Sequence, residues 1–389
     1  MALPALLYLL EHNDVSQIMC ADIQEDKVKK LVSRLADSRL EARFIDLDDV
    51  ESSAQQIKGF DVLANCANSG FTTDKIHIDR ELLATKVALK AGVNYAGLGG
   101  PPPSSEQLSP ELGEAFKEKG LIGVLGIGEA PGLSQILAQY CIEKLDTTDR
   151  VDIFWGARDL AEKEHSRPFY EAFTLGGQRW IVTQKSRRVD DGKVFEDLPR
   201  ANPQVFTFRE PIGKQVVAQT GGEPMLSLHR SYPDIKHLSW KINIDPRVEF
   251  FRDIGLLSNE PISVNGQMVS PWELLITLLK QLPPETNKLP RMIAEGRVIV
   301  KGTEAGQKIT YEISAMPNEK THQHYWGNGC NGLLMTGMAI AQGVLMIGRG
   351  QVKGKGILMP EKAYPADQFL QGLSKAGVVV EVHKTISFS

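Results

Sequence analysis

Several residues in this chain are of types, and at spacings, that do chemistry. The stretch Gly126-Ile127-Gly128-Glu129-Ala130-Pro131-Gly132 follows an apolar run at 121–125. It precedes Leu133, Ile136, Leu137 and Tyr140 at helical spacing. A strand, a glycine turn and a helix entry are the expectation, with Pro131 in the first helical turn, where its missing N–H costs nothing. Free N–H groups and the positive helix end make such an entry a ligand site in open α/β sheets; the alternative is an ordinary connection. Glu129 beside it can hold a substrate ammonium, act as a base once desolvated, or merely stabilise the helix. Asp22 ends an apolar strand at 15–23, where a carboxylate accepts both ribose hydroxyls of a dinucleotide. The residues after it are Ile23 and Gln24, not Arg, which favours NAD over NADP. Asn65 and Ala67 end another strand, on the edge that faces a cofactor in such folds; Asn65 can bond ribose or nicotinamide, or simply form a turn. Gly99 and Gly100 let backbone approach a nicotinamide, or only loosen a loop.

Further on, Gly221 and Gly222 form a loop before Arg230 and Tyr232. Arg230 can clamp an α-carboxylate bidentately or sit in a surface ion pair. Tyr232 suits packing more than chemistry. His322 and His324 form an H-x-H pair that on a strand would share a face. With no third ligand in sight, no metal is expected. His324 is a candidate for proton handling, with a structural histidine as the alternative. Tyr325 and Trp326 suit core or a cleft wall.

The elements that would position these residues alternate. Residues 4–10 read as an apolar helix. Strands at 15–23, 41–47, 61–66, 93–98 and 121–125 alternate with helices at 26–36, 48–57, 82–91 and 110–119. That is the pattern of a doubly wound, Rossmann-like parallel sheet. Such a domain normally opens with a strand and a G-x-G-x-x-G loop, and here the helix comes first. The expectation is an N-terminally shortened gene product, or else a domain that has lost its phosphate cradle. After residue 142 the pattern changes to strands at 150–157, 205–208, 215–218, 238–244, 297–301 and 308–314, with a hairpin at Asn265-Gly266. Helices are expected at 169–174, 247–257 and 271–282, with Ser270 as a cap. This is an α+β pattern on an antiparallel sheet, while residues 158–203 read as polar and turn-rich. The expected division is 1–128 as the dinucleotide-binding domain, 129–330 as the substrate domain, and 331–389 packing back between them. The apolar, glycine-rich stretch 332–348 reads as a buried helix, too short to span a membrane.

The 389 residues carry a formal net charge of -4, so no polyanionic partner is implied. Four scattered cysteines with no C-x-x-C pair fit a reducing cytoplasm and argue against a thiolate metal site or a disulfide framework. No nucleic acid or membrane partner is expected, and a homodimer is.

Ordered blocks carry a resemblance. They are Asp61-Val62-Leu63-Ala64-Asn65; Ala91-Gly92-Val93-Asn94-Tyr95-Ala96-Gly97-Leu98-Gly99-Gly100; Gly126 to Gly132; and Thr220-Gly221-Gly222-Glu223-Pro224-Met225-Leu226 leading to Arg230-Ser231-Tyr232-Pro233. Ala339-Ile340-Ala341-Gln342 and Gly356-Ile357-Leu358-Met359-Pro360-Glu361 complete the set, with Ala376-Gly377-Val378 after them. With these the chain resembles the saccharopine dehydrogenase family. The resemblance implies an NAD(P)-dependent oxidoreductase acting on the C–N bond of an amino acid, and places Gly221 and Gly222 near the substrate. Ala130 before Pro-Gly leans toward the L-lysine 6-dehydrogenase branch, which deaminates oxidatively to a semialdehyde. Relatives that make saccharopine or carboxynorspermidine by reductive condensation, or cleave them, tend to have Asp there. Gly97 stands where the family commonly shows an acidic residue, which implies a changed substrate or an inactive site. A non-catalytic binding protein that keeps the fold is the remaining alternative.

Overall fold

The computed structural model describes residues 2–67, 74–99, 110–160, 175–220, 224–281, 291–330 and 334–387. The chain divides into two units. The first holds 1–143, 226–231 and 333–378; the second holds 144–225, 232–332 and 379–389. Neither is continuous in sequence. Residues 129–143 and 333–378 fall in the first unit, a division the linear reading of the sequence did not make.

Within 1–143 the elements run α1 (Ala2–Leu10), β1 (Ile18–Asp22), α2 (Glu25–Leu35), β2 (Leu40–Phe44), α3 (Val50–Ile57), β3 (Val62–Asn65), α4 (Asp74–Ala91), β4 (Asn94–Gly97), α5 (Pro110–Glu118), β5 (Ile122–Val124) and α6 (Leu133–Ile142). The second unit begins with β6 (Thr147–Asp159), α7 (Leu175–Thr183), β7 (Ser186–Asp190), β8 (Lys193–Asp197), β9 (Gln204–Thr207) and β10 (Lys214–Gln219). There follow α8 (Pro224–Ser231), most of which belongs to the first unit, and then, in the second, β11 (His237–Ile242), α9 (Pro246–Asp253), β12 (Ile262–Val264), β13 (Gln267–Val269), α10 (Pro271–Gln281), β14 (Met292–Glu304), β15 (Gln307–Pro317) and α11 (Glu319–Gly327). The chain closes with α12 (Leu334–Gly348), β16 (Gly356–Leu358), α13 (Pro360–Ala363), α14 (Ala366–Lys375) and β17 (Val378–Ser387).

The first unit is the expected parallel sheet, but in two pieces. One has the order β16-β5-β4-β3; β1 and β2 form a separate parallel pair. Parallel strands are normally covered on both faces. Here Ala21 and Asp22 of β1 and Ala64 of β3 are exposed. Among the described residues no strand pairs with the outer edge of either β1 or β3. The pieces still share one apolar cluster, in which Met19, Ile45 and Leu63 pack on Ala54, Ile57, Val87 and Val93. A second cluster of Ala84, Ala88, Tyr95, Phe116, Leu121 and Leu125 fixes α4 and α5 against the sheet. As expected, α12 is a buried helix. Its Gln342 accepts from the Tyr8 hydroxyl of α1 at 2.8 Å, which ties the first helix to the last part of the unit. Among the described residues no helix is long and apolar enough to cross a membrane.

The second unit is a mixed sheet ordered β17-β15-β14-β6-β11-β10-β9; β14 pairs antiparallel with β15 and β6, β10 antiparallel with β11 and β9, and β11 parallel with β6. The Asn265-Gly266 hairpin forms as its residues demand, with φ of 52° and 81° at the two turn positions. Ser270 caps α10 through the Glu273 N–H at 3.3 Å. The stretch 158–203 is more regular than expected. It contains the β7–β8 hairpin, closed by Asp191-Gly192, with Arg188 bonded to Asp190 and Asp197. The helix expected at 169–174 lies outside the described residues.

Candidate functional site

The C-terminal ends of β3 and β4 lie side by side, with Asn65 opposite Gly97. Asn65 is buried, and its side chain works in both directions. Its Oδ1 accepts from the Ala67 N–H at 3.1 Å, and its Nδ2 donates to Glu81 Oε2 at 2.9 Å and to the Tyr95 hydroxyl at 3.0 Å. The Tyr95 hydroxyl donates to Glu81 Oε1 at 2.8 Å, and the Gly99 N–H also donates to this carboxylate. Burial pushes the Glu81 carboxyl up to about 7, against the pull of its three donors. The same burial raises Tyr95 well above its ordinary value and Cys66 to about 11. Glu81 is therefore the group of this cluster that changes charge near neutrality.

Glu81 was not among the residues expected from the sequence, though a signal existed. It lies on one helical stripe with Ala84, Thr85 and Ala88, all buried, so a carboxylate stands where the pattern calls for an apolar group.

After β4 the chain passes close under the turn that follows β5. A β-carbon on Gly99, whose φ is +78°, would lie 2.7 Å from Gly126 Cα. Gly132, with φ +123°, would bring one to 2.3 Å from Gly128 O, so both positions require glycine. The turn closes on itself. Gly128 N–H donates to Pro131 O at 2.8 Å, Leu133 N–H to Gly128 O at 2.8 Å, and Ser134 N–H to Glu129 O at 3.1 Å. Gly132 N–H donates to Gln135 Oε1 at 2.6 Å. Two expectations are thereby corrected. The helix starts at Leu133, so Pro131 precedes it, after a cis bond to Ala130, and does not occupy its first turn. The N–H groups of this entry are taken by the turn's own carbonyls and by Gln135, so they are not a free anion cradle. Glu129 is half-buried, with its Oε2 3.5 Å from the Thr336 hydroxyl of α12.

At the end of β16, the sheet's other edge, Glu361 is fully buried. Its Oε1 accepts from the Ser231 hydroxyl at 2.8 Å and, in a short bond, from the Ser227 hydroxyl, both on α8. Its Oε2 has no hydrogen-bond partner among the described residues, and burial raises its pKa. The sequence contained Glu361 only as part of a resemblance block.

The remaining expected residues are placed as follows. Asp22 ends β1, exposed, accepting from the Gln24 N–H at 2.8 Å. Ala67 is exposed just beyond β3. Arg230 is exposed on α8, with its Nε 3.4 Å from Leu226 O, and Tyr232 is half-buried just after that helix. Gly100, Gly221 and Gly222 lie outside the described residues. The H-x-H pair is on helix α11, not a strand, so its members point apart. His322 is buried, bonded through Nε2 to Met292 O at 2.8 Å and held below its ordinary pKa by burial, while His324 is exposed. Among the described residues no cluster of three His, Cys, Asp or Glu could hold a metal.

For a nicotinamide dinucleotide the fit is at the two ends. The strand-end carboxylate of Asp22 suits a ribose, and the adjoining backbone at Ala67 and Gly99 suits the nicotinamide side. The described residues offer no glycine loop for the diphosphate.

The parallel sheet followed by a mixed-sheet unit is the architecture of Rossmann-type dehydrogenases. In particular the fold is saccharopine dehydrogenase-like. Apo saccharopine dehydrogenase (L-Glu forming) from Saccharomyces cerevisiae matches with a TM-score of 0.70 at 14% identity, over 99% of this chain and 97% of that one. In sequence the chain is 24% identical over 370 residues to carboxynorspermidine synthase of Vibrio alginolyticus, covering 92% of this chain and 86% of the relative. It is 23% identical over 382 residues to carboxyaminopropylagmatine dehydrogenase of Synechocystis sp., covering 94% and 90%. No model of a known protein family matches the chain.

Proposed function

We propose that this protein is a nicotinamide-dependent oxidoreductase that joins an amine to a carbonyl compound by reductive condensation, giving a carboxylated secondary amine. The observation that carries this is the similarity to carboxynorspermidine synthase and carboxyaminopropylagmatine dehydrogenase, which runs over nearly the full length of both chains. The amine and aldehyde lose water to form an imine. The imine nitrogen takes up one proton, delivered by a protein acid or water, and the imine carbon takes a hydride, which gives the secondary amine. The hydride would come from a nicotinamide nucleotide when one is bound; the protein binds, orients and handles protons.

In this reading Asp22 holds the adenosine ribose, which favours NAD. Asn65, Ala67, Gly99 and Gly100 line the nicotinamide side, and Pro131 and Gly132 shape the wall beside it. Arg230 pairs with the substrate carboxylate, and Gly221, Gly222 and Tyr232 are the further proposed substrate residues. Glu129 receives the amine's ammonium or takes its proton, and His324 is a further proton-handling candidate. A homodimer is the proposed assembly, which sedimentation velocity would check.

Fluorescence titration with NADH and NADPH is the primary test. Binding of NADH is expected, and failure of both nucleotides to bind sinks the enzymatic reading in favour of a binding protein. NADH consumption that needs a diamine and a semialdehyde together supports condensation. NAD reduction by L-lysine alone would instead favour oxidative deamination, a second reading that rests on Ala130 before Pro131-Gly132.

A further inference from the structure

Position 97 ends β4 at the edge where the cofactor is proposed to lie, and it has no room for a side chain. A β-carbon there would stand 2.0 Å from Glu81 Oε1 and 2.6 Å from the Tyr95 hydroxyl. The place that an ordinary strand would fill from its own last residue is filled by a carboxylate delivered from α4. That carboxylate is joined to two backbone segments at once. Through Asn65 it reaches the Ala67 N–H beyond β3, and directly it holds the Gly99 N–H beyond β4. No lysine, arginine or histidine among the described residues pairs with it. The described groups that act on it are Asn65, Cys66, Tyr95 and the Gly99 amide, and none of them carries a charge near neutral pH.

We propose that Glu81 is a positioning residue which, by its charge, sets the backbone geometry at Ala67 and Gly99 and so the affinity of the site for a nicotinamide nucleotide. The nucleotide clause rests on the function proposed above. The physical link is the strength of the two holding bonds. An ionised carboxylate forms charge-assisted hydrogen bonds about twice as strong as those of a neutral one. A proton on the carboxyl also needs an acceptor. The Tyr95 hydroxyl can turn to provide one, whereas the Asn65 amide group and the Gly99 N–H only donate. Protonation therefore leaves the Tyr95 contact and weakens the two that hold the loops.

Amide hydrogen exchange, corrected for intrinsic rates, tests this without any nucleotide. In the wild-type protein, protection at Ala67 and Gly99 is expected to fall about fivefold as the pH is lowered through neutrality. In Glu81→Gln it is expected to stay low and flat. Tyr95→Phe removes one donor but keeps the carboxylate, so the midpoint is expected to move up. The double variant Glu81→Ala/Gly97→Asp returns a carboxylate from the strand and is expected to restore the pH step. A wild-type protein without the step, or a Glu81→Gln variant that keeps it, overturns the proposal. If Glu81→Gln does not fold, the Tyr95→Phe midpoint decides, and an unmoved midpoint counts against it. NADH titration over the same pH range separates the two claims. Binding that weakens with the step supports the nucleotide clause, and binding indifferent to it overturns that clause. A step with no binding of NADH or NADPH leaves the loop role standing and removes the proposed function.

Discussion

At the scale of single residues, Glu81 couples stability to pH in the direction opposite to a surface carboxylate. Its folded-state pKa of about 7 lies above the ordinary 4.5, so the folded protein binds this proton more tightly than the unfolded chain does. The resulting stabilisation is complete below the unfolded value and is lost as the pH rises through about 7, a difference of order 3 kcal/mol. Glu81→Gln should flatten that loss, seen as urea midpoints that no longer fall between mildly acidic and mildly alkaline buffer. A steep remaining slope would place the titrating group elsewhere. Two glycines make a second comparison. Gly266→Ala meets no atom within 4 Å and suffers only from its φ of +81°, so it should cost about 1 kcal/mol. Gly132→Ala adds a collision with the Gly128 backbone and should cost clearly more, by urea denaturation. Equal costs would mean the turn at Gly126–Gly132 yields easily. Asp22, Asn65, Glu129 and Arg230 were all legible as chemistry-bearing types at strand and helix ends. For Glu81 the helical stripe of Ala84, Thr85 and Ala88 marked only a buried carboxylate, because its role depends on Tyr95 and Asn65 arriving from two strands.

Among the described elements, the parallel sheet is open between β1 and β3. In a parallel strand alternate residues face opposite neighbours. Ile18 N–H bonds to Arg39 O on the β2 side, so Met19 and Ala21 face away. Asp61 O accepts from Asn94 N–H, so Leu63 faces β4 while Val62 and Ala64 face away. The amides of Met19, Ala21, Val62 and Ala64 should therefore exchange with solvent faster than those of Cys20 and Leu63. Uniform protection along both strands would show that the edges are paired. The alternation of strands and helices was readable because each strand is a short apolar run. The β7–β8 hairpin was not, because its faces carry Arg187, Arg188, Glu196 and Asp197, whose ion pairs take the place of an apolar stripe. Its Asp191-Gly192 turn was the signal available. Nor could sequence alone show that the helix entry at Leu133 spends its N–H groups on the preceding turn, since that depends on how Gly128 and Pro131 fold back.

At the scale of the whole molecule, each unit is assembled from distant segments. A fragment of residues 1–143 would lack α12, whose residues are nearly all buried, and β16, the neighbour of β5. Such a fragment should retain helical far-UV signal but lose fixed near-UV signal and bind a hydrophobic dye. A cooperative, native-like fragment would show that these later segments are dispensable. The linear division into 1–128, 129–330 and 331–389 was the natural reading of a change in pattern at residue 142. Sequence order carries no mark of a segment that returns to an earlier sheet.

That return also has a consequence in time. Gly356 pairs with Ile122, so β5 waits for its outer neighbour while roughly 230 further residues are made. At about 5–20 residues per second on the ribosome, the wait is roughly 10–50 s. Throughout it, a buried-type strand presents a bare parallel edge to the crowded cell. The nascent chain is thus most vulnerable to mispairing in the interval between β5 and β16, and a translation pause placed there would lengthen the exposure.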